Sequence, residues 1–355
     1  MVDPVTPAPR IRHTLSLDEN PYPPPDAVRS AIVGSIGRLN WHPDPTCEQL
    51  VGEIARLHRV PADHVVVGHG RHALLVQLAQ SLVDGEPVRL VHAEDSLDSA
   101  AGHRLPDAVV PVAVPLGDPA GDLPAAFTEA AAGGPAVILL GNPSTPSGTT
   151  ITQECLERFL EGLPAGVVVV LDESYRDFAT NAHVASGIPL YAGRPGVAVL
   201  RSLSATYGLA GLNIGYLIAR AELTDRLHPF AAPFPISTVA QCAARAALRA
   251  QGEHGQRISK IVGERARLVT GLHRSGVPAV PSQANFVFLP LAERSTEFAS
   301  ACQRGGVDVR LFPRRGVRVT VGTPEANDAF LRVATVFAGS GQFPGTGLDR
   351  QSSEV

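Results

Sequence analysis

An α/β fold, a mostly parallel sheet enclosed between layers of helices, is what the patterning of this chain predicts, and three observations carry the reading. Strand-length apolar runs alternate with helical stretches of about 10 to 15 residues, the rhythm of βα units. The run Val167–Leu171 is apolar and β-branched almost throughout, which suits a parallel strand buried on both faces. Val65–Val67 leads through Gly68-His69-Gly70-Arg71-His72 into the apolar stretch Ala73–Leu82, a strand, a glycine-rich turn and a helix start.

The 355 residues are 44% apolar and carry a net charge of −4, enough for one large domain with a smaller one beside it. No stretch is basic enough to suggest nucleic acid. The longest apolar runs hold roughly five to eight residues, too short for a bilayer, and the N-terminus lacks an apolar leader. A soluble cytoplasmic protein without a membrane partner is expected. Cys47, Cys155, Cys242 and Cys302 have no metal-ligand spacing, so buried reduced thiols are predicted and no metal site. Lys260 is the sole lysine against 29 arginines.

Taken in order, residues 1–14 are Pro-rich and read as a loose arm. Leu17-Asp18-Glu19-Asn20-Pro21-Tyr22 follows, then a helical stretch Ala27–Leu39 and the segment Trp41-His42-Pro43-Asp44-Pro45. Glu48–His58 has amphipathic helical spacing before the turn Pro61–Asp63. At the Gly68–Gly70 turn, backbone N–H groups of the following helix start can hold a phosphate; the plainer reading of Arg71 is a solvated loop residue. Pro87–His92 and Val137–Leu140 read as strands, the second running into Gly141-Asn142-Pro143-Ser144-Thr145-Pro146-Ser147-Gly148. Glu154–Leu163 is helical, and Val167–Leu171 ends in Asp172-Glu173-Ser174-Tyr175. Alone, that acidic pair could be a helix cap. The strand-like Val197–Leu200 leads into Arg201-Ser202-Leu203-Ser204-Ala205, then Gly208-Leu209-Ala210-Gly211 and a second apolar run. Leu223–Arg249 and His254–His273 read as helices, the second long enough to link two domains. Pro281-Ser-Gln-Ala-Asn285-Phe286, Val307–Arg310 and Gly316–Asn327 close the pattern. Strand alternation turns Arg318 away from Val317 and Val319.

These segments, in this order and spacing over roughly residues 15–338, resemble the fold-type I pyridoxal-phosphate (PLP) aminotransferases of the histidinol-phosphate aminotransferase branch. There the central segment reads Ser-Leu-Ser-Lys-x-Phe/Tyr-Gly-Leu-Ala-Gly-Leu-Arg-x-Gly-Tyr, with the lysine bonded to PLP and the arginine on its phosphate. This chain has Ala205 at the first position and Asn213 at the second. The resemblance implies a mostly parallel seven-stranded sheet with helices on both faces, a small α/β domain built from both chain ends, and a homodimer with sites at the subunit boundary. Its domains would be a flexible arm at 1–14, an N-terminal arm and part of the small domain at 15–45, a large PLP-binding domain at 46–260, a C-terminal small domain at 261–340 and a flexible tail at 341–355.

Residue by residue, the resemblance implies that Asp172 pairs with the pyridine nitrogen and that Asn142 and Tyr175 bond O3′. Gly70, Arg71, His72, Ser202 and Ser204 fall at the phosphate cup, and Arg71 could supply the cation missing at 213. His42 stands where a tyrosine touches the phosphate across the dimer. Tyr22, Asn285, Arg310 and Arg318 fall at substrate positions, with Arg318 clamping an α-carboxylate. A stacking aromatic is missing from Glu94–Ala100, near Ser99. A carboxylate at the ring nitrogen keeps it protonated, making the ring the electron sink for carbanion chemistry. The lysine is also the family's general base, and Ala205 offers neither amine nor base. The implied protein handles an α-amino acid or its keto acid with non-covalent PLP or pyridoxamine phosphate. Its alternatives are a relative that binds ligand without transamination, or a PLP-independent enzyme or scaffold on the same fold.

Overall fold

The computed structural model of the protein describes residues 11–96, 105–115, 123 and 125–339. Seven strands form the main sheet: β2 (Val65–Gly68), β3 (Val88–Ala93), β4 (Val109–Val114), β5 (Ala136–Gly141), β6 (Val167–Asp172), β7 (Val197–Ser202) and β8 (Gly215–Ile218). Their order is β2-β8-β7-β6-β5-β3-β4. Only β8 runs antiparallel to its neighbours, and the remaining pairs are parallel. Every residue of β6 is buried, as its unbroken apolar run requires.

Strand alternation creates two cores. Val167, Val169 and Leu171 point to one face with Leu50 and Ile54 of α2 (Glu48–His58), Leu156 of α5 (Gln153–Glu161) and Ala243 of α8 (Thr238–Arg249). Val168 and Val170 point to the other, onto Leu74 and Leu78 of α3 (Gly70–Ser81) and Leu223 of α7 (Ala221–Leu227). Helices α1 (Asp26–Ser35), α4 (Ala125–Ala131) and α6 (Gly187–Tyr191) complete the first of these layers, adding Val28, Phe127 and Tyr191 to its core.

A second sheet of four strands contains β1 (His13–Leu15), β9 (Phe286–Leu289), β10 (Val307–Phe312) and β11 (Gly316–Thr320), ordered β1-β10-β11-β9. The long helix α9 (Gln251–Arg274), α10 (Ser295–Arg304) and α11 (Pro324–Gly339) pack against it through Leu268, Phe298 and Phe330. Both chain ends therefore build the small domain.

Two expectations need correction. His13–Leu15 is a strand paired in parallel with Val307–Val309, since the open edge of β10 satisfies its backbone groups, so residues 13 and 14 do not belong to the loose arm expected over 1–14, of which residues 1–10 lie outside the described residues. Leu223–Arg249 is not one helix: α7 ends at Leu227 and α8 begins at Thr238, with Pro229, Pro233 and Pro235 between them denying the N–H groups a helix needs. The expected tail at 341–355 lies outside the described residues. No disulfide joins the four cysteines. Among the described residues no group of His, Cys, Asp or Glu could hold a metal, and no helix is long and apolar enough to cross a membrane.

Candidate active site

In open α/β sheets ligands bind beyond the carboxyl ends of the strands. A cavity of about 190 Å³ lies there, with Arg71, Ser202, Ser204, Ala205, Asn213 and Arg318 among its lining residues. A larger groove of about 510 Å³ opens at the opposite ends of β6 and β7, beside Val167 and Gly196. It contains none of the residues singled out from the sequence.

Asp172 ends β6 and is buried. Its Oδ1 accepts hydrogen bonds from the Ser174 amide at 3.0 Å and hydroxyl at 2.5 Å, and its Oδ2 accepts one from Arg71 Nη1 at 2.5 Å. Arg71 is thus no solvated loop residue. It starts in the first turn of α3 and covers the carboxylate, whose charge held away from water requires a cation. The Asp172 charge in turn raises the guanidinium's pKa.

A second buried pair lies across the cavity, where Arg318 Nη2 sits 2.7 Å from Asp18 Oδ2. Tyr175 donates to that oxygen at 3.1 Å and Thr320 donates to Oδ1 at 3.2 Å. Burial pushes the Asp18 carboxyl above its ordinary range, with Arg318 and the two hydroxyls pulling the other way. Burial likewise raises the Tyr175 phenol. Arg318 therefore already has a carboxylate neighbour inside its own chain, while its Nε is buried without a hydrogen-bond partner. The role of Asp18 escaped the sequence reading. Its signal was an aspartate, in the segment Leu17–Tyr22, that precedes Asn20-Pro21-Tyr22.

The remaining residues divide. Ser202 and Ser204 line the cavity, with Ser202 Oγ accepting from the Ser204 amide at 3.1 Å. Ala205 presents a methyl group there, and its carbonyl accepts from Asn20 Nδ2 at 3.0 Å, which ties down the arm. Asn213, in the left-handed region at φ 46°, packs against Gly70: a Cβ on Gly70 would fall 2.2 Å from Asn213 Oδ1. His72 follows Arg71 in the first turn of α3.

Asn142 corrects an expectation, because its side chain is spent on the backbone. Its Oδ1 accepts from the Ile151 amide and its Nδ2 donates to Ile151 and Ala185 carbonyls, as a fully buried amide must arrange. Asn285 similarly donates to the Asp18 carbonyl at 2.9 Å, holding the arm without lining the cavity. Arg310 lies opposite Arg318 on the paired strand. Tyr22 has the Lys260 ammonium 5.6 Å from its ring centroid, and His42 stacks on Phe234 at 4.7 Å. Of the stretch with the missing aromatic, Ser99 lies outside the described residues.

A strand-end carboxylate, a glycine turn at a helix start, paired serines and an arginine from the small domain around one cavity define an enzyme site of the fold-type I class. The family profile for aminotransferase class I and II matches residues 13–339, and the chain belongs to that family. It is 40% identical to an aromatic amino acid aminotransferase of Streptomyces avermitilis, over 92% of this chain and 91% of that one. It is 38% identical to one of Thermobifida fusca, over 91% and 89%. In fold it is similar to histidinol-phosphate aminotransferase of Sinorhizobium meliloti in complex with pyridoxal-5'-phosphate, with a TM-score of 0.84, 24% identity and coverage of 93% and 91%.

The cofactor implied by the family is pyridoxal phosphate, and the residues present can be tested against it. The Asp172 carboxyl at the end of β6 would be the partner of a protonated ring nitrogen. Ser202, Ser204 and the first turn of α3, which has no side-chain cap, supply phosphate donors. Position 205 supplies no amine. The set fits the group with one rearrangement, since Arg71 stands on Asp172.

Proposed function

We propose that this chain is a lysine-less aminotransferase-family enzyme that holds pyridoxal or pyridoxamine phosphate without a covalent bond and acts on an aromatic α-amino acid or its oxo acid. One observation carries the reading: Asp172 stands at the end of β6 with its cation Arg71, Ser202, Ser204 and Arg318 lining the same cavity, and a methyl group faces that cavity from position 205. The aromatic side chain comes from the activity named for the 40% and 38% identical relatives. Bound there, the cofactor ring supplies an electron sink that stabilises negative charge at the substrate Cα.

Each residue of the chain has a defined part in this reading. Asp172 keeps the ring nitrogen protonated. Ser202 and Ser204 orient the phosphate. Arg318 offers its unpartnered Nε to the substrate carboxylate, and Tyr175, fully protonated because burial raises its phenol, donates hydrogen bonds instead of accepting a proton. With alanine at 205 no lysine shuttles a proton, so ordinary transamination is slow. Both charged pairs being closed within the chain favours a second reading, ligand binding without turnover.

The N-terminal half of this reading is a homodimer. Val33, Ile36, Leu39 and Trp41 are exposed along one stretch of chain, and the exposed Phe234 stacks on His42 beside it in sequence; a second copy is the occupant we propose for this apolar surface. The site test is Ala205→Lys. After incubation with pyridoxal phosphate and borohydride reduction, mass spectrometry should find a cofactor adduct on the variant at residue 205 and none on the wild type. An adduct on the wild-type polypeptide, or none on the variant, would overturn the assignment of position 205.

A further inference from the structure

We propose that Arg71 has two positions in this pocket: on Asp172 while the ring site is empty, and on the cofactor phosphate once the ring arrives, replacing the arginine absent at 213. The inference rests on the cofactor reading above. It begins from charge. A bound phosphate brings about two negative charges, and among the described residues lining the cavity the cations are Arg71 and Arg318. Arg318 is committed to Asp18 on the small-domain side. Arg71 is the cation that the phosphate side of the cavity can use.

Position supports the exchange. Arg71 belongs to the first turn of α3, whose N-terminal residue His69 makes no capping side-chain bond. A Cβ placed on Gly215 would lie 2.9 Å from the Arg71 amide, and one on Gly70 would meet Asn213. The start of α3 is therefore packed against the Asn213 side chain and the Gly215 backbone, and a guanidinium on a long stem from 71 can reach the space that a side chain at 213 faces. The Arg71 side chain is 31% exposed and that of Asp172 is 6% exposed, so the arginine is the partner able to move. Asp172 keeps a positive partner throughout: the guanidinium before, the protonated ring nitrogen afterwards. No buried charge is left alone at either stage, which matters because an unpaired one is costly.

The exchange predicts opposite effects on the two halves of the cofactor. Equilibrium dialysis with inorganic phosphate and with pyridoxine, the ring without phosphate or aldehyde, separates them. Arg71→Ser should bind phosphate on the order of tenfold more weakly, having lost a charge-assisted donor. It should bind pyridoxine several-fold more tightly, because Asp172 is released. In the wild type, phosphate should raise pyridoxine affinity and pyridoxine should raise phosphate affinity by the same factor, since each favours the displaced arginine. This coupling needs no variant. Arg71→Ser tightening both ligands would make Arg71 a mere obstruction, and unchanged phosphate affinity or absent wild-type coupling would likewise overturn the proposal. Pyridoxal phosphate bound by neither protein would instead remove the cofactor reading itself, and the exchange with it.

Discussion

A carboxylate that sits on an arginine competes with any other carboxylate for it, and Asp18 does this to Arg318 at 2.7 Å. Replacing it by the neutral isostere frees Nη2 of the guanidinium from a competing charge. Asp18→Asn should therefore bind phenylpyruvate about tenfold more tightly than the wild type by calorimetric titration. Without ligand it should lose roughly 3 kcal/mol of stability, because Arg318 is left buried without a counter-ion. The same pair predicts a pH dependence. Burial holds the Asp18 carboxyl above its ordinary range, so as the pH falls Asp18 takes up its proton above the usual carboxylate range and releases Arg318. Wild-type affinity for the oxo acid should rise as pH falls, and Asp18→Asn should lack that rise. A flat wild-type profile, or weaker binding by the variant, would show that Arg318 does not serve a substrate carboxylate.

At the scale of elements, the start of α3 is held by a close approach that only glycine allows. Gly70 has φ +77°, and a Cβ there would meet Asn213 Oδ1 at 2.2 Å. Gly70→Ala must adopt a disfavoured backbone and push Asn213 aside, so a loss of about 2 kcal/mol in denaturant unfolding is expected. Adding Asn213→Gly should recover the contact part of that loss, since Asn213 is itself left-handed at φ 46°, a conformation glycine accepts freely, and leave the backbone part. Equal stabilities of the single and double variants would show that side-chain crowding contributes nothing. The arm is a second such element. Asn20 grips the Ala205 and Thr206 carbonyls and Asn285 grips the Asp18 carbonyl, so one segment positions both the loop bearing Ala205 and the carboxylate facing Arg318.

For the whole molecule, Trp41 is 66% exposed and follows the exposed Val33, Ile36 and Leu39 in one stretch of chain, apolar surface that favours cover by a partner. If a second copy supplies it, light scattering should give twice the 37.2 kDa chain mass. Trp41→Asp should then shift the protein toward monomer at micromolar concentration, because a charge placed in a desolvated interface centre is costly. A wild type that remains monomeric at high concentration would remove the dimer. The two domains also divide the labour of the site. The main sheet presents Asp172 and Ser202 at strand ends with Ala205 in the loop after β7, the small sheet presents Arg318, and α9 runs unbroken from Gln251 to Arg274.

Local chemistry written into single segments was enough to predict much of this protein. The unbroken apolar run at 167–171 suited a strand covered on both faces, Glu48–His58 matches its helix to the residue, and the acidic end of β6, which alone could have been a helix cap, stood out through its resemblance to the family's strand-end motif. Alanine at 205 and asparagine at 213 stood out in the same way, because the family segment that this stretch resembles has a lysine and an arginine there. What pairs with what was decided only by tertiary structure. Arg71 is 101 residues from Asp172 and Asp18 is 300 from Arg318, and no periodicity links positions so far apart. Asn142 shows the same limit. Its motif pointed to a ligand, yet packing of the loop at Ile151 and Ala185 places backbone groups around its amide, and a buried amide bonds to whatever the fold brings within reach.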